Sequence, residues 1–153
     1  MFKKIITAML ISIMCFSAIC CVGYAAQFGN TISLSEQGNS SNLIYIKRPE
    51  SHSASTSDRT YTISAIGTQG TKIKVYKYNA QNGNCTLYKN ETSIGASGLY
   101  SVVVDLPNDS NIFVVTAENG SQNQAVKIDI NKIKKSTVDK LKSVTVTIRN
   151  FLR

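Results

Sequence analysis

Between positions 100 and 106 the chain places Tyr100, Val102, Val104 and Leu106 at every second position, with Ser101, Val103 and Asp105 between them. Successive side chains of a strand point to opposite faces, so the four apolar groups share one side of an extended chain. A helix would scatter them around its axis. Gly98 precedes this stretch and Pro107-Asn108-Asp109 closes it. The same rhythm of short apolar runs cut by Gly, Asn, Ser and Asp recurs from 31 to 131, and it points to an all-β sandwich or barrel over that stretch.

The individual strands follow from that rhythm. Leu43-Ile44-Tyr45-Ile46 reads as an early strand stopped at Pro49, and 50–59 is polar and reads as a loop. Tyr61, Ile63 and Ala65 alternate with Thr62 and Ser64; Gly67-Thr68-Gln69-Gly70 turns the chain; Ile73 and Val75 then alternate with Lys72 and Lys74. Asn82-Gly83 is a hairpin signal, with 85–89 as its return. The nearly continuous apolar run 112–117 suits a central strand buried on both faces. Asn119-Gly120 turns into Val126, Ile128 and Ile130. About seven strands result, and packing two sheets face to face would bury their apolar sides. The 153 residues hold one ordinary domain, and 42% hydrophobic against 17% charged residues supply its core.

The stretch 98–106 followed by Asn111-Ile112-Phe113-Val114-Val115-Thr116-Ala117 resembles bacterial immunoglobulin-like domains. Ile63-Ser64-Ala65-Ile66-Gly67 and Gly70-Thr71-Lys72-Ile73-Lys74-Val75 fit the strand pair that precedes it in such modules. The resemblance covers 42–131 and implies an immunoglobulin-like β-sandwich without catalytic residues, used for spacing, adhesion or binding in secreted and surface proteins. The chain has no Trp and lacks a cysteine pair in this region, so it departs from the antibody-type pattern.

Met1-Phe2-Lys3-Lys4, an apolar run from Ile5 to Val22 and the exit Gly23-Tyr24-Ala25 match a secretory signal peptide. The competing reading is a retained membrane anchor. The expected organisation is therefore a signal peptide at 1–25, an extension at 26–41, the sandwich at 42–131 and a tail at 132–153, in a secreted or extracytoplasmic protein. Cys15, Cys20 and Cys21 lie in the first segment, which leaves Cys85 alone after cleavage. It either packs as a small apolar group or joins two chains in a disulfide-linked dimer.

Charge is segregated. Residues 26–131 carry eight basic and eight acidic groups, whereas the tail carries Lys132, Lys134, Lys135, Lys140, Lys142, Arg149 and Arg153 against Asp139 alone. Such asymmetry points to an anionic wall polymer or membrane surface, not to nucleic acid, in an exported chain. Ser136 and Asp139 resemble a helix-capping pair, and Val138, Leu141, Val144 or Thr145, Ile148, Phe151 and Leu152 fall on one helical stripe. The expectation is a short basic amphipathic segment, helical over 136–143. The stretch 144–149 is open between helix and strand, because Val144, Val146 and Ile148 alternate with Thr145 and Thr147. The stripe has two uses, docking on the edge or end of the sandwich or lying on a membrane or partner.

No constellation supports catalysis, a metal or a cofactor. His52 is the single histidine and sits among loop serines. Tyr76, Tyr78 and Tyr88 lie near the Asn82-Gly83 turn, and Tyr76 and Tyr78 share a strand face with Lys72 and Lys74. Exposed rings of this kind stack on sugars or dock a partner. The leading expectation is a non-enzymatic binding or adhesive module held at the cell surface by its tail. The alternative is a secreted inhibitor or accessory subunit that binds another extracellular protein.

Overall fold

The structure is a computed structural model and describes residues 28–40, 42–134, 136–137 and 139–140. The expected signal peptide, and the tail beyond Lys140, lie outside the described residues, as do Lys135 and Val138.

Among the described residues nine strands form two sheets: β1 (Thr31–Ser33), β2 (Ile44–Arg48), β3 (Ser53–Thr56), β4 (Thr60–Gly67), β5 (Lys72–Asn79), β6 (Asn84–Ser93), β7 (Leu99–Asp105), β8 (Ser110–Asn119) and β9 (Gln122–Lys132). One sheet has the order β1-β6-β5-β8-β9-β3, the other β2-β4-β7. Seven of these strands coincide with those expected from alternation. The other two correct the sequence reading. Thr31–Ser33 adds a short edge antiparallel to β6, and Ser53–Thr56, read as loop, pairs parallel to β9.

Alternation drives the packing between the sheets. Ile44 and Ile46 from β2, Ile63 and Ala65 from β4, and Tyr100 and Val104 from β7 face Ile73, Val75, Phe113, Val115, Ala117, Ile128 and Ile130 from the larger sheet. β8 lies inside that sheet, and Phe113 to Ala117 are all buried, as a strand covered on both faces requires. A second cluster sits on the far face of the larger sheet. There Phe28 and Ile32 cover Tyr76, Cys85 and Val114. The 28–34 segment is therefore part of the core.

Two glycines are required by geometry. Gly120 (φ 60°) turns the β8–β9 hairpin in the left-handed region. Gly38 (φ 79°) packs so closely on β9 that a Cβ would lie 2.5 Å from the Asn123 carbonyl oxygen. That approach lets the Asn39 and Ser40 amides donate to the same carbonyl, at 2.9 and 2.8 Å.

Candidate functional site

β5 positions Tyr76 and Tyr78 on the far face of the larger sheet, as the alternation required. Alternation does not reveal what covers a face, and here the 28–34 segment covers it. Tyr76 has no exposed surface, and its hydroxyl donates to the Gly29 carbonyl at 2.6 Å. Burial, reinforced by the nearby Glu118 carboxylate, pushes its pKa up to about 12. Tyr78 is half-buried against the same cluster.

Tyr88 lies on the opposite face. Its ring packs on Phe113 with centroids 5.8 Å apart. Its hydroxyl donates to Asp105 Oδ2 at 2.7 Å and accepts the Asp105 amide at 3.1 Å. Burial raises its pKa as well. The three tyrosines thus do not form one exposed platform.

Lys72 and Lys74 are engaged in ion pairs. Lys72 meets Glu91 at 3.0 Å, and Lys74 meets Glu118 at 3.5 Å and Glu91 at 3.6 Å. Lys72 and then Lys74 hold the Glu91 carboxyl below its ordinary value. Lys74 also donates to the Phe28 carbonyl at 3.0 Å, while Glu118 accepts the Phe28 amide at 3.0 Å. This polar pair grips the backbone of the covering segment, which accounts for two charged side chains at a largely buried position.

Of the tail, Lys132 anchors the end of β9, donating to the Leu106 and Pro107 carbonyls at 2.7 and 3.2 Å. Lys134 and Lys140 are exposed. Lys135, Lys142, Arg149 and Arg153 lie outside the described residues. Cys85 is fully buried, and burial raises its thiol pKa. A disulfide to a second chain would first require the 28–34 segment to lift. His52 (φ 58°) is exposed at the turn before β3, and its carbonyl accepts the Asp129 amide at 2.9 Å. Among the described residues no three His, Cys, Asp or Glu gather as a metal site. No helix among them is long and apolar enough to cross a membrane.

The exposed apolar surface lies elsewhere, on the outer face of the three-stranded sheet. Tyr45 on β2 pairs with Ile66 on β4, and Ile66 pairs with Leu99 on β7. The three side chains make one row across the sheet, exposed to 60%, 39% and 62%. Val103 lies further along β7 and is 53% exposed. Lys47 sits over the Tyr45 ring at 5.2 Å. Ser64, Ser101 and Thr62 occupy the intervening positions of the same face. Such a row offers flat apolar area to a partner's side chains, rimmed by hydroxyls and one cation. It carries no acid-base pair.

Sequence reading passed over this row, although it left a signal. Tyr45, Ile66, Leu99 and Val103 are each out of phase with the buried alternation of their own strand. Only the strand pairing shows that three of them are neighbours.

No family model matches the chain, and no curated protein matches it. Among solved structures it is similar to a crystal structure of an engineered protein, at 16% identity and a TM-score of 0.42. That match covers 60% of this chain and 20% of the other, so the chain spans about a fifth of the length of the structure it matches.

Proposed function

We propose that this protein is an exported, non-enzymatic binding or adhesive module of the immunoglobulin-like kind, held at the cell surface by its basic tail. The strand order supports the fold part of this reading. A three-stranded antiparallel sheet faces a larger one, the β8–β9 hairpin lies beside β5, and the chain crosses repeatedly between sheets, as in immunoglobulin-type sandwiches. The tail's charge excess supports retention on an anionic wall polymer or membrane.

The observation that carries the binding reading is the exposed Tyr45–Ile66–Leu99 row. A folded domain with no use for that face would gain solubility by making it polar. The row also favours the second reading, an inhibitor or accessory subunit, because apolar area recognises protein better than it recognises a charged polymer.

Pelleting with purified cell walls and with acidic liposomes tests the proposal. The expected result is pelleting that high salt reverses and that glutamine at Lys134, Lys135, Lys140 and Lys142 abolishes, because exposed charges are screened over about 8 Å at physiological salt. Binding to a single protein that is insensitive to salt, and is lost in Tyr45→Ala/Leu99→Ala, would replace this reading with the second. No pelleting under any condition would remove the tail from the proposal.

A further inference from the structure

The edges of the two sheets are not equally protected. β1 has three residues and β3 four, both too short to template a partner strand. β2 is irregular between Ile46 and Arg48 and ends against Pro49, which has no amide to offer. Its first residue is engaged from the larger sheet: Gln124 accepts the Ile44 amide at 2.9 Å and donates to the Ile44 carbonyl at 3.2 Å.

β7 differs. Its seven residues pair with β4 without a bulge, and among the described residues no strand lies on its other side. The Leu106 amide donates to the Arg59 carbonyl at 2.8 Å, and the Gly98 carbonyl accepts the Gly67 amide at 2.9 Å. Both ends of the strand thus fix which residues bond toward β4. In an antiparallel ladder these alternate, so Tyr100, Val102 and Val104 bond toward β4, while the amides and carbonyls of Leu99, Ser101, Val103 and Asp105 face outward. Side chains meet the two end amides. The Asp105 amide donates to the Tyr88 hydroxyl at 3.1 Å, and the Leu99 amide to Ser97 Oγ at 3.3 Å. The Ser101 and Val103 amides, in the middle, have no partner among the described residues. The edge carries no Lys or Pro to deter pairing.

The outward residues at the centre of this edge read alike in both directions. Leu99 and Val103 are exposed apolar side chains on the outer face, and Ser101 lies midway between them. A two-fold axis at Ser101 sets Ser101 opposite the partner's Ser101 and Leu99 opposite the partner's Val103. Apolar groups then meet apolar groups across the new pair, and no charge faces its like. Neighbouring registers are worse. Centring the pair on Val102 or Val103 brings Asp105 into the ladder, although its amide already bonds Tyr88, and sets its carboxylate opposite Leu99 or Ser101. Centring it on Tyr100 leaves Val103 outside. A self-matching row is what an isologous contact between identical chains requires, and a foreign strand requires none.

We propose that two copies of this chain associate through β7, antiparallel about a two-fold axis at Ser101, and so join their small sheets in the order β2-β4-β7-β7-β4-β2. Each Ser101 amide donates to the carbonyl of the partner's Ser101, and each Val103 amide to the carbonyl of the partner's Leu99. The Leu99 amides keep Ser97, and the Asp105 amides keep Tyr88. On the outer face the Tyr45–Ile66–Leu99 row of each copy ends on the partner's Val103, so the two rows become one apolar surface across the dimer. Cys85 takes no part, because it is buried in the other sheet. This proposal stands on the edge and does not depend on surface binding.

Sedimentation velocity and amide hydrogen exchange on the purified full chain, across a dilution series with reductant present, test it. The expected result is dimers at the concentrated end and monomers at the dilute end. Ser101 and Val103 should exchange at least about tenfold more slowly at the concentrated end, while buried β8 amides are unchanged. Ser101→Pro deletes the central donor at an edge position where proline costs β4 no bond. Val103→Lys leaves every amide in place and sets a cation opposite the partner's Leu99. Both variants should keep the circular dichroism of the unaltered chain and stay monomeric throughout; if the proline variant fails to fold, Val103→Lys carries the test. Monomers of the unaltered chain at every concentration overturn the proposal. Slow exchange that dilution does not relieve overturns it as well, because the edge is then covered within one chain. Dimers that persist in both variants, or in which Ser101 and Val103 still exchange fast, place the contact on another surface and overturn it too.

Discussion

Among the described residues, the six-stranded sheet is packed on its inner face and over part of its outer face, whereas the three-stranded sheet is packed on the inner face alone. In the larger sheet Tyr76, Cys85 and Val114 point away from the sandwich, yet they are fully buried because Phe28 and Ile32 lie over them. In the smaller sheet Tyr45, Ile66 and Leu99 also point away from the sandwich and stay exposed. Apolar residues on an outward face thus have two different fates in one domain. What separates them is a covering segment gripped by Lys74, Glu118 and the Tyr76 hydroxyl.

Substitution should reveal this difference most strongly at its extremes. Phe113→Ala removes a fully buried ring between the sheets and should cost about 3–5 kcal/mol. Leu99→Ala should cost no more than about 0.5 kcal/mol, as for other surface positions. Urea unfolding followed by circular dichroism measures both. A cost for Leu99→Ala near that of Phe113→Ala would mean that the outer face of the small sheet is covered in solution.

Alkaline titration is the next test in size, and it reaches both sheets. Burial pushes the phenols of Tyr76 and Tyr100 up to about 12 each, from 10.0. For a raised folded-state value, the stability contributed is complete below the unfolded pKa and is lost as pH rises through the folded one. The domain should therefore hold its full stability to about pH 10 and lose it towards pH 12, by on the order of 2–3 kcal/mol per ring. Phenolate absorbance should show Tyr76 and Tyr100 ionising late and together with unfolding, with Tyr88 delayed as well. If only one does so, the covering segment does not seal Tyr76 as tightly as the sandwich seals Tyr100.

Tyr76→Phe tests the grip itself. It keeps the ring and deletes the bond to Gly29, at a cost of about 1 kcal/mol. The more telling readout is Cys85, which the same segment covers. Its thiol is buried with a raised pKa, so a thiol reagent should label it only when that face opens. Labelling should be slow in the unaltered protein and several-fold faster in Tyr76→Phe. Equal rates would mean that the bond to Gly29 does not hold that face closed and that the grip is dispensable.

The same contrast explains how much of the molecule was legible in its sequence. Seven strands announce themselves through alternation, through the continuous apolar run of β8 or through the Asn82-Gly83 turn before β6, and Tyr100, Val102, Val104 and Leu106 are the clearest case of alternation. β3 carries no fully buried side chain, and its pairing with β9 is a matter of backbone alone. β1 has a single buried residue, Ile32. Neither leaves a pattern to read. The candidate site failed in a similar way. Periodicity placed Tyr76 and Tyr78 correctly on a face but could not say that Phe28 would fold over it. It placed Tyr45, Ile66 and Leu99 on three separate strands but could not say that strand order would align them.

A further small effect concerns the seam where the two sheets meet. The Tyr88 hydroxyl, from the larger sheet, donates to Asp105 Oδ2 and accepts the Asp105 amide at the end of β7. Tyr88→Phe keeps the ring on Phe113 and removes both bonds. The bonds are exposed to water, so the loss should be only about 0.5–1 kcal/mol. Its location matters more than its size. If side chains secure the edge of β7 one end at a time, exchange of the Asp105 amide should quicken while that of Leu99, bonded to Ser97, stays as it was. If both quicken together, β7 opens as a unit. The weakness of the small sheet would then lie in its pairing with β4, and the contrast between the sheets would be one of cohesion, not of cover.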